Sequence, residues 1–299
     1  MTRNRQWLQG LAFIMPVVAV MAIFIGLPII AAVLYSFGYT KGPNAAVAIV
    51  AQDQVLGRGG SLTLGAYAQV FHQSDFLQSL DVTLLVTVVS TVVVLVLSWL
   101  VSLYVRLRGG FMSRWLTTLS IVPLFLPTII GAYAILSFYG GGGFWVSVLT
   151  QLGWKSAPVL GYSTAGDVIG QIWSNLPFAV LMVSAGLAQV PNAFLEAAAD
   201  AGARSARRTA TILLPLCRVP TLIALSFTAI SVVGSFTIPY LVGPNSPNML
   251  GVLMALYFTS FNRPQQAEVM AVVVFLLAIG VAAVYIWSNF RVAARRWAQ

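Results

Sequence analysis

The dominant pattern of this sequence is a series of long apolar runs that contain no charged residue. These runs cover residues 6–40, 82–105, 115–154, 168–195, 219–262 and 269–290. Each exceeds the roughly 20 apolar residues that a helix needs to cross a hydrocarbon core of about 30 Å. A bilayer offers the backbone no hydrogen-bond partners, and a helix satisfies its own backbone. Since the short alternating segments of barrel strands are absent, the pattern predicts an all-α polytopic membrane protein.

We predict six transmembrane helices within a single domain, residues 1–299. The predicted spans are residues 8–36, 79–105, 116–139, 167–190, 218–242 and 267–290. Two apolar runs are long enough for a further span, but the glycines at 140–143 and the turn-rich string GPNSPN at 243–248 interrupt them. The string MLGVLMALYFTSF that follows is too short for a crossing, which favours an interfacial or re-entrant helix.

The charge distribution supports six spans. Only 8% of the residues are charged, against about 25% in soluble domains. Six spans place both termini and the loops 106–115 and 191–217 on one side, together with twelve of the sixteen basic residues. The other side, formed by loops 37–78, 140–166 and 243–266, holds the remaining four: Lys41, Arg58, Lys155 and Arg263. The positive-inside rule therefore predicts cytoplasmic termini, and the net charge of +9 reflects topology, not a nucleic-acid partner.

Several site classes find no support in the sequence. Arg3 and Arg5 precede an apolar run that is too long for a signal peptide, so we expect it to stay as the first span. Cys217 and His72 are the only residues of their kinds, which leaves no intramolecular disulfide and no converging metal ligands. Since the glycine-rich string also lacks the lysine of a P-loop, we predict a non-catalytic chain that binds no cofactor.

A charged loop at residues 191–217 lies between the fourth and fifth predicted spans. Its first part, VPNAFLEAAADAG, predicts a short helix that begins at Pro191 or Asn192 and ends at Gly202. A glycine just past the end of a helix is the usual way to reverse the chain. The loop is therefore expected to contain two helices joined by a sharp turn.

The second helix of the loop is predicted to be capped by Ser205, to run to about Leu213 and to stop at Pro215. Helical spacing gives the first helix one face of small residues with a single aromatic: Phe194, Ala197, Ala198 and Ala201. Physical chemistry leaves two interpretations open. The face inserts into a groove of another protein, or the hairpin lies on lipid headgroups with its arginines facing anionic lipid.

The residues of the loop resemble a family signature. EAA at 196–198, Gly202 six residues after the glutamate, and ILLP at 212–215 are similar to the EAA loop of permease subunits of ATP-binding-cassette importers. These importers are of type I, with the MetI-like fold. The resemblance extends to residues of about 62–290 and is to the spermidine/putrescine branch of the family. It is carried by three further strings: WSNLPFAVLMVSAGLAQVP, FTIPYLVGPNSPNMLGVLM and LGAYAQVFHQSDFLQSLDVTLLVT. The first span and residues 38–60 match only in general character.

The resemblance implies a binding-protein-dependent importer of the bacterial inner membrane. The loop would dock on one of two copies of a separate ATPase subunit, which binds ATP and Mg. A second permease, related or identical, would complete the pathway, and an external substrate-binding protein would deliver the solute. The residues that the resemblance assigns to coupling are Phe194, Glu196, Ala197, Ala198, Asp200, Gly202, Ala203, Ile212 and Pro215.

The transport pathway is less visible in the sequence. Polar and aromatic residues near prolines of the third to fifth spans are candidates, because broken helices line cavities in transporters. We select Tyr133, Trp173, Asn175, Ser235, Phe236 and Thr237. Ordinary helix packing is the alternative for each. Three acids at predicted outer span ends either attract a cation or are solvated helix-end charges: Asp81, Asp167 and Glu268.

The resemblance to the spermidine/putrescine branch favours a polyamine as the solute, although no acidic pocket residue in the sequence supports it. The rings of Tyr133, Trp173 and Phe236 have faces that can contact a cationic amine, with core packing as the alternative. Thiamine, ferric iron, opines and aminophosphonates are alternatives within the same importer class. Two other functional classes stay open. An ion-driven secondary transporter would need intramembrane acids, which the spans lack, and a membrane scaffold would use the loop for docking without transport.

Overall fold

The described part of the chain is helical. The computed structural model describes residues 13–50, 55–57 and 61–297, and assigns no strand among them. In chain order the helices are α1 (Phe13–Ser36), α2 (Ala45–Val50), α3 (Gly65–Phe71), α4 (Ser74–Arg108), α5 (Gly110–Ile121), α6 (Thr128–Tyr139), α7 (Phe144–Gln151), α8 (Thr164–Ala188), α9 (Asn192–Asp200), α10 (Ser205–Leu216), α11 (Arg218–Val233), α12 (Thr237–Val242), α13 (Leu250–Thr259) and α14 (Pro264–Trp297). The predicted all-α fold is confirmed.

Five apolar helical segments of the described chain have the length and composition to cross a bilayer. They are α1, α4, the stretch Thr128–Gln151, α8 and Pro264–Trp287. A sixth crossing is obtained if α10 and α11, which are bent by 71° at Cys217, count as one span. The side chains of α1 are largely exposed, with Phe13 at 84% and Phe24 at 74%. This exposure suits a helix whose surroundings are apolar.

The third predicted span, residues 116–139, is not one continuous helix. α5 ends at Ile121, a 3₁₀ turn covers Val122–Phe125, and α6 begins only at Thr128. The interruption contains Pro123 and Pro127, each of which lacks the N–H group that would bond one turn back. The glycines that follow end α6 at Tyr139, as the sequence predicted.

The fifth predicted span, residues 218–242, is also divided. α11 ends at Val233, residues 234–236 are not helical, and α12 follows. Pro177, in contrast, lies inside α8 without ending it. The predicted short helix after the GPNSPN string is α13, and its first residues are buried, with the Leu250 N–H donating to the Thr83 Oγ1 at 2.9 Å.

The chain divides into two compact units, residues 1–77 with 253–273 and residues 78–252 with 274–299. The core of the second unit is built around α8, where Ala179, Val183 and Leu187 pack with Val94 of α4 and Ala224 of α11. That core carries the loop described next.

The first unit contains a smaller core of Tyr35 and Val55. Beside it the buried Gln265 side chain accepts from the Leu56 N–H at 2.9 Å and donates to the Leu56 carbonyl at 3.0 Å. This amide holds the backbone at Leu56 in place.

Candidate coupling loop

The first helix of the loop, α9, has the predicted bounds. Pro191 precedes it with an extended backbone, and the helix ends where Gly202 adopts a φ of +77°. The Gly202 N–H donates to the Ala199 carbonyl at 2.8 Å and the Ala203 N–H to the Ala198 carbonyl at 2.9 Å. These two bonds close the helix end, and a side chain at position 202 would strain the backbone.

The inner side of α9 is fixed to the helical core. Leu195 is 9% exposed and belongs to the same apolar cluster as Leu213 and Cys217. The Arg208 guanidinium donates to the Leu195 carbonyl at 3.4 Å, which adds a bond from the second helix of the loop. α9 is therefore not a free hairpin, because apolar packing anchors its inner side.

Arg106, near the end of α4, holds the start of α9. Its Nη2 donates to the Val190 carbonyl at 2.8 Å and to the Asn192 Oδ1 at 2.6 Å. A guanidinium that bonds two acceptors at the start of a helix fixes both the position and the direction of that helix. Arg106 was not among the residues predicted from the sequence, because it lies 84 residues before Val190 in the chain.

The outer side of α9 is open to solvent. Phe194 is 52% exposed, Glu196, Ala197 and Asp200 are exposed, and Ala198 is half-buried. The predicted face with one aromatic among small side chains is thus largely accessible. An anchored helix with an accessible apolar and acidic face has the form of a docking element.

The second helix of the loop differs from its prediction. Arg204, not Ser205, is the residue before it, and its side chain makes no capping bond. The helix widens into a π-helix over Thr209–Leu213 and continues past Pro215 to Leu216. The Leu214 N–H bonds five residues back to the Thr209 carbonyl, a register in which Pro215 is accommodated.

The two remaining loop candidates differ in surroundings. Ile212 is half-buried and packs on the apolar cluster, whereas Pro215 is exposed and its carbonyl accepts from the Arg218 Nε at 2.8 Å. Ile212 thus stabilises α10 by packing against the core.

Among the pathway candidates, Asn175 and Ser235 come together through a residue that the sequence analysis did not select. Gln171 of α8 is 1% exposed and its Nε2 donates to the Ser235 Oγ at 2.7 Å. The Asn175 Nδ2 donates to the Gln171 carbonyl at 2.9 Å. Ser235 lies in the break between α11 and α12, so uncharged polar groups meet where the helix is interrupted.

The aromatic candidates are placed differently. Trp173 packs so closely on α6 that a Cβ added to Gly131 would lie 2.0 Å from its Cη2 atom. Phe236 stacks on Tyr240 with 5.2 Å between ring centroids, and Tyr133 is 54% exposed. Thr237 is the first residue of α12. Trp173 is a packing residue, whereas Tyr133 and Phe236 present accessible ring surface.

The three outer acids are not alike. Asp81 is exposed, but Asp167 is fully buried and neither carboxyl oxygen has a hydrogen-bond partner. Glu268 is half-buried and lines an apolar cavity of about 410 Å³ with Pro28 and Tyr35. The interpretation as solvated helix-end charges is therefore wrong for Asp167.

Comparison with known proteins identifies the family. Residues 95–296 match the model of the binding-protein-dependent transport system inner membrane component family. The chain belongs to this family. Its members are permease subunits of ATP-binding-cassette importers, which are generally non-catalytic, with the ATPase on a separate chain, and they are multi-pass proteins of the bacterial inner membrane.

Among the curated relatives, the sulfoquinovosyl glycerol transport system permease protein SmoG of Agrobacterium fabrum is 29% identical over 231 residues, 74% of each chain. The trehalose/maltose transport system permease protein MalF of Thermococcus litoralis is 26% identical over 295 residues, 95% of this chain and 94% of MalF. A spermidine/putrescine permease protein, PotB of Haemophilus influenzae, matches only 56% of this chain at 26% identity. The polyamine prediction thus finds little support among the relatives.

The fold also matches a solved importer. A bacterial alginate transporter, in complex with an alginate pentasaccharide-bound periplasmic protein, superimposes with a TM-score of 0.72. The match covers 97% of this chain and 96% of that chain at 15% sequence identity, which shows the shared fold.

Proposed function

We propose that this importer permease couples through α9 to a separate ATPase and carries a carbohydrate-class solute, with a second permease completing the pathway. The observation that carries the coupling proposal is the two-sided character of α9. Its inner side is fixed by Arg106 and Leu195, while its outer side exposes Phe194 and Glu196.

The anchoring explains how movement would pass into the membrane. A partner that displaces α9 also displaces the end of α4 through Arg106, because the guanidinium bonds hold the two elements together. The Leu195 and Leu213 cluster connects the same displacement to α8 and α11. Such an element, fixed to spans at several points, meets the requirement for coupling two distant sites.

The carbohydrate proposal draws on two observations. SmoG and MalF are permeases of systems named for sulfoquinovosyl glycerol and for trehalose and maltose. The polar side chains at the α11–α12 break, Gln171, Asn175 and Ser235, are uncharged, and of the three only Ser235 is not buried. An uncharged hydroxyl suits ligands that donate and accept hydrogen bonds, whereas a polyamine would be better matched by carboxylates.

The experiment is to purify the chain with its neighbouring subunits and reconstitute the complex in vesicles. We expect an ATPase to co-elute and ATP turnover to rise when carbohydrate-loaded binding protein is added. Glu196→Ala should remove this stimulation and uptake without changing insertion, whereas Gln189→Ala, an exposed polar residue just before the loop, should leave both unchanged. Normal uptake by Glu196→Ala would remove the coupling assignment.

A further inference from the structure

A polar pocket lies within the first unit, whereas the loop and the helix break belong to the second unit. It has a volume of about 520 Å³ and lies among α3, the two residues that link α3 to α4, the start of α14 and the segment around Leu56. Its lining residues are Leu56, Gln69, His72, Gln73, Arg263 and Gln266. This volume is within the range of small-molecule sites, about 300–1,000 Å³.

Three glutamines of the lining form a directed chain of hydrogen bonds. The Tyr257 hydroxyl donates to the Gln73 Oε1 at 3.0 Å, and the Gln73 Nε2 donates to the Gln266 Oε1 at 3.4 Å. The Gln266 Nε2 then donates to the Gln69 Oε1 at 3.1 Å. The chain ends at the exposed Gln69, whose amide nitrogen has two N–H groups to offer to a ligand.

Hydrogen bonds outside the pocket fix two backbone segments of its wall. The buried Gln265 pairs with both backbone groups of Leu56, which fixes this residue in the wall. The Arg263 N–H donates to the Tyr257 carbonyl at 2.8 Å, which fixes the chain where Arg263 projects. Binding groups that are positioned before a ligand arrives lose little entropy when it binds.

The charge of the described lining disfavours a cationic ligand. Among the lining residues that the structure describes, Arg263 supplies a positive charge and no carboxylate is present; Asp75, at the start of α4, is not one of them. The His72 Nδ1 lies 2.7 Å from the Ala68 carbonyl, to which it donates, so this ring nitrogen is engaged at the end of α3. The pocket therefore offers the amide of Gln69 and the guanidinium of Arg263 as donors to hydroxyl groups.

We propose that this pocket binds a polyhydroxylated, carbohydrate-class solute, with Gln69 and Gln266 bonding hydroxyls and Arg263 bonding an oxygen acceptor of the ligand. The solute class rests on the proposed function, whereas the site itself is a separate inference. A docking protein loop would need a larger contact, since stable interfaces bury about 800 Å² on each partner. A concave pocket lined by amides is better matched to a small ligand.

The test measures ligand binding to the full chain in lipid nanodiscs, by saturation-transfer NMR with trehalose, maltose, glucuronate and putrescine as separate probes. We expect at least one of the three sugars to bind and putrescine not to bind. The double variant Gln69→Leu/Gln266→Leu should weaken sugar binding by at least about tenfold, which corresponds to about 1.4 kcal/mol. The matched control Gln151→Leu, an exposed glutamine at the end of α7, should bind as the wild type does.

Each outcome decides the proposal. Binding of none of the three sugars, sugar binding that the double variant leaves unchanged, or preferential binding of putrescine would each overturn it. Carbohydrate uptake by the reconstituted complex, measured in parallel, separates this inference from the proposed function. Normal sugar uptake without sugar binding in the pocket would refute the pocket proposal alone. Sugar binding in the pocket without any carbohydrate-stimulated ATP turnover would refute the proposed function.

Discussion

The loop at α9–α10 and the break between α11 and α12 use polar residues in opposite ways. In the loop, polar side chains either face outward or donate hydrogen bonds to a backbone carbonyl, as the Arg106 side chain does to that of Val190. At the break, Gln171, Asn175 and Ser235 turn inward and satisfy one another. The loop presents polar side chains on its accessible side, whereas the break buries its two amides and leaves the Ser235 hydroxyl half-buried.

This difference has energetic consequences. A side chain on the outer side of α9 can be removed without leaving a buried group unpaired, so its loss should affect coupling more than folding. Removing one member of the polar group at the break leaves a partner unsatisfied, at a cost of about 1–3 kcal/mol. Variants in the two regions should therefore separate coupling from the integrity of the pathway.

The largest effect is expected at the end of α9. Gly202→Asp forces a side chain into a φ of +77°, which costs about 1–3 kcal/mol and turns the loop away from its docking position. Uptake in reconstituted vesicles should fall to background while the protein inserts normally. The same substitution at Gly142, where a side chain meets nothing within 4 Å and φ is ordinary, is the control. Wild-type uptake by Gly202→Asp would show that the turn geometry is dispensable.

Arg106→Ala should have the second-largest effect, since it breaks the connection between α4 and α9. Losing charged hydrogen bonds costs about 1.5–3 kcal/mol, so solute-stimulated ATP turnover should fall by about tenfold or more. Arg106→Lys should recover part of the activity, because lysine keeps the charge but not the geometry. Arg108→Ala, an exposed neighbour on the same helix, serves as the control. Equal losses in the two alanine variants would argue against the clamp.

Gln171→Leu should have a moderate effect, because it leaves the Ser235 hydroxyl without its donor at the helix break. We expect uptake to decrease by about three- to tenfold, with the ATPase still co-purifying. Ser235→Ala tests the same bond from the other side, and the double variant should be no worse than the worse single variant. Additive losses would mean that the two side chains act independently.

The smallest effect is expected for Asp167→Asn. An ATP-driven importer does not need this buried carboxyl to titrate, and asparagine has nearly the same shape, so uptake should stay within about twofold of the wild type. Uptake measured with and without a protonophore, in the presence of ATP, checks this expectation. Abolished uptake in Asp167→Asn would favour the ion-driven alternative, for which an intramembrane acid is required.

The sequence predicted the helices better than the side-chain contacts between them. Apolar run length was sufficient for the spans, and Gly202 marked the end of α9, because both signals act within a few residues. The prediction of a continuous third span was wrong at residues 122–127, because Pro123 and Pro127 were not recognised as interrupting the helix within an apolar run. The topology of the termini stays a prediction.

Hydrogen bonds between residues far apart in the chain could not be predicted from the sequence, because local patterns carry no information about them. Arg106 and Val190 are 84 residues apart, and Gln171 and Ser235 are 64 apart. Nothing in the local pattern distinguishes a clamping arginine from one that faces lipid headgroups. From its position at a helix end, Asp167 was interpreted either as attracting a cation or as a solvated charge. The structure buries its side chain, with Gly243 packed against the carboxyl.

The close approach of Gly131 to Trp173 limits how this permease can open. With the indole ring lying where a methyl group would stand, α6 and α8 have no room to slide past each other. We therefore expect these two helices to move together during transport. The backbone at residues 234–236 is not helical, so we expect bending there, and a substitution that stiffens this segment should reduce uptake.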